Sequence, residues 1–271
     1  MSMIWFITGT SRGLGRHFTE AALERGDRVA ATARDTSTLD DLAAKYGDAL
    51  LPIALDVTDR DAVTAAVAAA HERFGRLDVV VNNAGYGLFG AVEEISEEQL
   101  RDQLETNLFG AFFVTRAVLP ILRAQGAGHL IQISTIGGIG AFPNLGGYHA
   151  SKWALEGLTE SLAQEVAGFG IKVTLVEPGG FATDWGGSSA VRADPDPAYQ
   201  PLRDAMAARS GGAQYGNPAA AGKALLQIVD AENPPLRVLF GSQPTQLVQH
   251  IYAQRLATWA DWEHVAHAAQ G

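Results

Sequence analysis

Two residues four apart, Tyr148 and Lys152 in "YHASK", form a pair that could move a proton. On a helix this spacing puts both side chains on one face. A free phenol titrates near ~10 and a free lysine near ~10.4. A neighbouring ammonium favours the phenolate and draws the tyrosine toward working pH. A second candidate lies in "MSMIWFITGTSRGLGR" at the amino end. There "GTSRG", residues 9–13, matches G-x-S-x-G, a turn that can present a nucleophilic serine, here Ser11. The same residues read as "TGTSRGLG", a glycine-rich turn. In it Gly9, Gly13 and Gly15 let the backbone approach a pyrophosphate, and the following helix N-terminus favours its charge.

Something must position these groups. Short apolar runs ("MIWFI", "RVAATA", "LLPIALDV", "LDVVVNNAG", "GHLIQIS", "IKVTLVEPGG", "LRVLFG") alternate with helical patterns along most of the chain. Near-continuous apolar strands separated by helices predict an α/β fold, one doubly wound parallel sheet of about seven strands with helices on both faces. Thr36 or Ser37 is the expected cap of the second helix. Ser96 is the expected cap of a long helical stretch running to "LRAQ". The Gly-, Ser- and Pro-rich segment 185–217 interrupts the alternation and reads as a substrate-loop insertion within a single domain, residues 1–271. In such a sheet ligands sit at the carboxyl ends of the strands, where "TGTSRGLG" falls. A literal G-x-G-x-x-G, "GYGLFG" at 85–90, follows the fourth strand but has no acid on a following strand, so it reads as a loop. A serine hydrolase would need its elbow deeper in the sheet, then an acid and a late histidine such as His250; Ser11 follows the first strand instead.

Taken in order, T-G-x-x-x-G-x-G (Thr8–Gly15), N-N-A-G (Asn82–Gly85) and Y-x-x-x-K (Tyr148–Lys152) resemble the short-chain dehydrogenase/reductase family. The stretch "STIGGIGAFPNLGGYHASKWALEGL" is similar to its hydroxysteroid and retinol dehydrogenase-like branch. The resemblance implies a Rossmann fold and hydride transfer between a nicotinamide and a carbonyl or alcohol carbon. It makes Tyr148 the general acid in reduction and the base in oxidation, with Lys152 also holding the nicotinamide ribose. The family places a serine after the fifth strand, usually thirteen residues before the tyrosine; here Thr135 stands at that spacing, a departure from the serine, with Ser134 one residue earlier. Adjacent strand residues point to opposite faces, so one of the two faces the substrate, and Thr135 is the expected one. Asn107 matches the helical asparagine of the family's proton relay.

For the cofactor, the resemblance assigns Gly9, Ser11, Arg12, Gly13, Leu14 and Gly15 to the phosphates. Asp56 and Val57 fall to the adenine, and Asn82, Asn83, Ala84 and Gly85 to the ribose side. Pro178, Gly179, Phe181 and Thr183 come beside the nicotinamide, with Thr183 at its carboxamide. Where an acid after the second strand would select NAD, this chain has Ala33, then Arg34. Arg12 and Arg34 favour a 2′-phosphate, so NADP(H) is expected over NAD(H); Asp35 stands one residue late for the NAD role. A non-catalytic NADP(H)-binding redox sensor on the same fold is the alternative, but sensors typically lose the tyrosine or lysine.

The expected pocket walls are Tyr86, Leu88, Phe89, Ile139, Phe142, Leu145, Phe181 and Trp185, an apolar and aromatic lining that suits a small ketone or alcohol. His149 is expected to point elsewhere on the helix, and His264 and His267 to lie in a solvated tail. The formal charge of −10 argues against nucleic acid and against a polybasic membrane anchor. With no cysteine there is neither a disulfide nor a thiolate metal site, and the histidines form no ligand motif, so no metal is expected. No single apolar run approaches a membrane span, and a cytoplasmic protein is expected. By resemblance a homodimer or homotetramer is expected.

Overall fold

The computed structural model describes residues 2–210 and 214–271. Its central sheet has seven strands in the order β3-β2-β1-β4-β6-β7-β9, every neighbouring pair parallel. They are β1 (Ile4–Ile7), β2 (Arg28–Ala33), β3 (Leu50–Ala54), β4 (Val79–Asn82), β6 (Gly128–Ile133), β7 (Ile171–Pro178) and β9 (Arg237–Phe240). A small second sheet pairs β5 (Leu88–Phe89) with β8 (Val191–Arg192).

The period of two along β1 shows why its residues are apolar without alternation. Trp5 and Ile7 enter a core with Phe18, Leu23 and Leu225, which α1 (Gly13–Glu24) and α8 (Pro218–Asp230) contribute. Ile4 and Phe6 enter the opposite core with Val67, Val118 and Leu162. These lie on α3 (Arg60–Phe74), α5 (Ala111–Gln125) and α6 (Gly146–Val166). Each fully buried side chain of this size contributes roughly 2 kcal/mol.

The chain order reverses at β1, with β2 on one side and β4 on the other. The loops leaving β1 and β4 therefore diverge and open a crevice at the carboxyl edge. Three local expectations are corrected. The second helix, α2 (Asp40–Tyr46), follows a 3₁₀ turn that Asp35 caps through the Ser37 amide, rather than starting at Thr36 or Ser37. Ser96 caps α4 (Glu97–Leu104) with a full capping box to Gln99, but the long helix is then broken by a π-helical turn, Glu105–Gly110. As one stretch, Glu97–Gln125 is long and apolar enough to cross a membrane by length and composition, which a search for unbroken apolar runs overlooks. It packs on the sheet through Val114, Val118 and Leu122. The 185–217 segment carries β8 and α7 (Gln200–Ser210). The tail is helical as α9 (Gln243–Asp261) and α10 (Glu263–Gln270), although mostly solvated.

Candidate active site

The glycine turn leaves β1 and enters α1 with Gly9 at φ +68° and Gly13 at φ +60°. A Cβ on Gly9 would lie 2.8 Å from the Ala84 Cα, and one on Gly15 would lie 2.3 Å from Asn83 Nδ2. Much of the turn's glycine content thus serves contact with the loop after β4. That loop is fastened to it: Asn83 Nδ2 donates to the Thr8 and Gly9 carbonyls, both at 2.9 Å, while Thr8 Oγ1 accepts from the Asn83 and Ala84 amides. Asn83 therefore holds the cradle's shape. Asn82 is buried behind it, donating to Thr115 at 3.1 Å, and does not line the crevice as expected. At the start of α1 no side chain caps the helix and no acid occupies the first turn, so its free amides suit an anion. Ser11 and Leu14 line the same rim. No hydrogen bond joins Ser11 to a histidine among the described residues.

Past β2, the two arginines differ. Arg34 is exposed on the crevice wall and has no hydrogen bond or ion pair among the described residues. Asp35 beside it is spent on the Ser37 cap, which holds its carboxyl below the usual range. Arg12 instead reaches across to Asp184 at 3.0 Å and Ser188 at 3.1 Å. Hydrogen bonds from Ser188, helped by Ser189 and Arg12, hold the Asp184 carboxyl down at about 2. Asp56 accepts from Thr58 just past β3, and Asp59 caps α3. Val57 lines the floor.

On the other side of the crevice, Tyr148, Lys152 and Thr135 converge. The Tyr148 and Lys152 side chains are buried on one face of α6. Burial pushes the Tyr148 phenol up to about 12, opposed by the Thr135 hydroxyl that faces it. This corrects the expectation of a lowered phenol: desolvation outweighs any help from Lys152. Burial also draws Lys152 down to about 8, with Glu156 pulling the other way, and its Nζ donates to the Ile133 carbonyl at 2.7 Å. Thr135 Oγ1 sits 3.4 Å from the Pro178 carbonyl. Ser134 Oγ points instead into the space beside Gly138 and Glu156 and has no partner. Asn107, on the π turn, is fully engaged: it accepts from the Tyr86 amide at 3.1 Å and donates to the Tyr86 carbonyl and to Ser151 Oγ. A Cβ on Gly85 would lie 2.9 Å from Asn107 Oδ1, so the turn and the loop after β4 are closely fitted.

The substrate end is walled by Tyr86, Phe89, Phe142, Leu145 and Trp185, around a crevice of about 1320 Å³. The Trp185 ring lies 5.0 Å from that of Tyr148 and 5.2 Å from that of Phe89. Leu88 and Ile139 do not line it as expected; both are buried, Leu88 against the position of Gly147. Gly179, Phe181 and Thr183 line the exit of β7, and Thr183 faces Gly13 across the crevice. Sequence reasoning missed Tyr215, which lines the wall from within the insertion, and the Asp184–Ser188 anchor for Arg12. No motif marks either one. It also misplaced His149, which lines the wall. The His149 Nδ1 accepts from the Phe142 amide at 3.3 Å, and burial drives its pKa down to about 4. Among the described residues no three His, Asp or Glu side chains group as metal ligands.

A switch-point cradle facing a buried tyrosine–lysine pair belongs to the nucleotide-dependent α/β enzymes. Residues 3–192 match the short chain dehydrogenase family. The chain belongs to that family and is an oxidoreductase of the dehydrogenase/reductase kind. It is 47% identical over 245 residues to oxidoreductase BOA17 of Botryotinia fuckeliana, covering 89% of each chain. It is similar to the structure of a short-chain dehydrogenase from Streptomyces avermitilis, with a TM-score of 0.93 and 41% identity over 99% of this chain and 98% of that one. It is also similar to an alcohol dehydrogenase from the archaeon Thermococcus sibiricus complexed with 5-hydroxy-NADP, with a TM-score of 0.73 and 27% identity over 89% and 96% of the two chains.

Proposed function

We propose that this protein is an NADP(H)-dependent carbonyl reductase or alcohol dehydrogenase acting on a largely apolar substrate. The observation that carries this reading is the meeting of Tyr148, Thr135 and Lys152 at the crevice end opposite the uncapped start of α1. The residues fit a nicotinamide dinucleotide. The amides of Gly13, Leu14 and Gly15 would hold its pyrophosphate, Asp56 and Val57 its adenine end, and Thr183 and Lys152 its nicotinamide end. When bound, the cofactor supplies or accepts the hydride.

The chain's own residues handle the proton. At neutral pH Tyr148 is protonated, the state a general acid needs in reduction. The Thr135 hydroxyl can exchange its Pro178 partner for the substrate oxygen and so polarise it. Lys152, as a cation, favours the phenolate that Tyr148 leaves behind. Trp185 covers the phenol and helps keep water from it. Asn107 and Asn83 act on geometry, one fixing the loop at Tyr86 and the other the glycine turn.

The NADP preference is supported by the free Arg34 guanidinium beside a carboxylate already spent on a cap. Arg12, tied to Asp184, is the lesser contributor. The apolar walls support a ketone or alcohol without a carboxylate or phosphate. Arg192, which stacks on Phe89 at 4.9 Å, spends a guanidinium hydrogen bond on the Gly186 carbonyl. Fluorescence titration of the purified protein tests the cofactor reading. NADPH binds more tightly than NADH, and Arg34→Ala weakens NADPH roughly tenfold while leaving NADH nearly unchanged. Equal loss for both cofactors contradicts it.

A further inference from the structure

The buried face of α6 does not end at the tyrosine and lysine. Tyr148, Lys152 and Glu156 follow at successive intervals of four, and all three are buried. Glu156 is 4% exposed, and its Oε1 has no hydrogen-bond partner. Ser134 Oγ is likewise buried and unpartnered. A Cβ on Gly138 would lie 2.6 Å from each of these two oxygens, so they face one small space under the turn after β6. Leaving a carboxylate oxygen and a hydroxyl unpaired in a core is costly.

The charged groups around Glu156 come from three elements. On α6 they are Lys152 and Glu160, on β7 Glu177, and on β9 Arg237. Arg237 contacts Glu156 closely, Glu177 at 2.7 Å and Glu160 at 3.3 Å. One guanidinium thus faces three carboxylates, with Glu156 and Glu177 buried and Glu160 half exposed. Glu177 relieves part of the crowding: burial, with Glu156 close by, raises its carboxyl to about 7. Lys152 is the cation on the active-site side of this cluster.

We propose that Glu156 is a positioning residue for proton transfer, its buried carboxylate keeping Lys152 in the cationic form that supports Tyr148. This rests on the carbonyl reductase reading for its purpose, but not for its measurement. The chain has four lysines, Lys45, Lys152, Lys172 and Lys223, so the Nζ of each is separable by NMR of lysine-labelled protein, with Lys152→Arg assigning the signal.

In the full-length wild type, Lys152 titrates near 8. In Glu156→Gln it titrates roughly one unit lower, and the alkaline limb of kcat for reduction moves down with it. Glu177→Gln, which changes the carboxylate that β7 contributes to the cluster, leaves the Lys152 signal in place. Glu156→Asp, with the charge drawn back by one methylene, gives a smaller shift. It carries the test if circular dichroism shows Glu156→Gln to be unfolded. An unmoved Lys152 in a folded Glu156 variant overturns the proposal. So does a kcat lowered equally at every pH. A shifted Lys152 in a protein that reduces no carbonyl upholds the electrostatic assignment and overturns the enzymatic reading instead.

Discussion

At the scale of single residues, Thr135 and Ser134 show how backbone alternation selects chemistry. They are neighbours at the end of β6, and both carry a hydroxyl. One faces Tyr148 and the other the Glu156 side. Thr135→Val therefore lowers kcat for carbonyl reduction by roughly 10²–10³-fold, the usual loss when a donor to a developing oxyanion is removed. Ser134→Ala costs less than about tenfold. Steady-state kinetics on both variants decide the matter, and the reverse ranking contradicts the assignment. In the sequence, strand alternation says only that one of the two faces the substrate, and the family's spacing from Tyr148 is what points to Thr135. The state of Tyr148 was not legible there. The spacing of Tyr148 and Lys152 suggests a lowered phenol, yet burial, which the motif does not encode, pushes it up. Arg12 and Arg34 looked equivalent in sequence, and only the fold brings Asp184, far along the chain, to one of them.

At the scale of elements, the sheet was readable because its strands are apolar on both faces. Ile4 and Phe6 serve one core while Trp5 and Ile7 serve the other. The glycine turn was readable from its place between the first strand and the first helix, which sets aside the nucleophile turn that its G-x-S-x-G also spells. What escaped were features without a periodic signature. The π turn at Glu105–Gly110 inserts itself into a good helical pattern, and Asn107 looks from the sequence like any polar helix residue. The 3₁₀ turn before α2 was hidden by a run of capping residues, "RDTSTLDD", of which Asp35 wins. Leu88 was assigned to the pocket by its loop, but its strand pairing with β8 turns it inward. The Asn83 latch is the clearest case of a motif residue whose work is on the protein itself. It ties the loop after β4 to the glycine turn, so the two halves of the crevice keep one geometry.

At the scale of the whole molecule, buried titratable groups couple the fold to pH. His129, bonded to Thr174, and His149 are both held at about 4 by burial. A base whose folded pKa is depressed below its unfolded value stabilises fully above that value, near ~6.5, and loses the contribution as pH falls. Glu177, raised to about 7, has the opposite sign and offsets roughly one of the two histidines. Net stability therefore drops by roughly 3 kcal/mol between pH 7 and pH 4. Urea melts at the two pH values measure it, and equal midpoints contradict the assignment of neutral buried histidines.

The proposed function depends most on Tyr148 moving the proton in a nicotinamide-dependent carbonyl reduction. Its most direct test follows NADPH absorbance with a panel of apolar and aromatic ketones for the wild type and Tyr148→Phe, with cofactor affinity measured on both. The wild type turns over at least one ketone, while Tyr148→Phe loses kcat by roughly 10³-fold or more and keeps nearly unchanged NADPH binding. Reduction by Tyr148→Phe at the wild-type rate would contradict it.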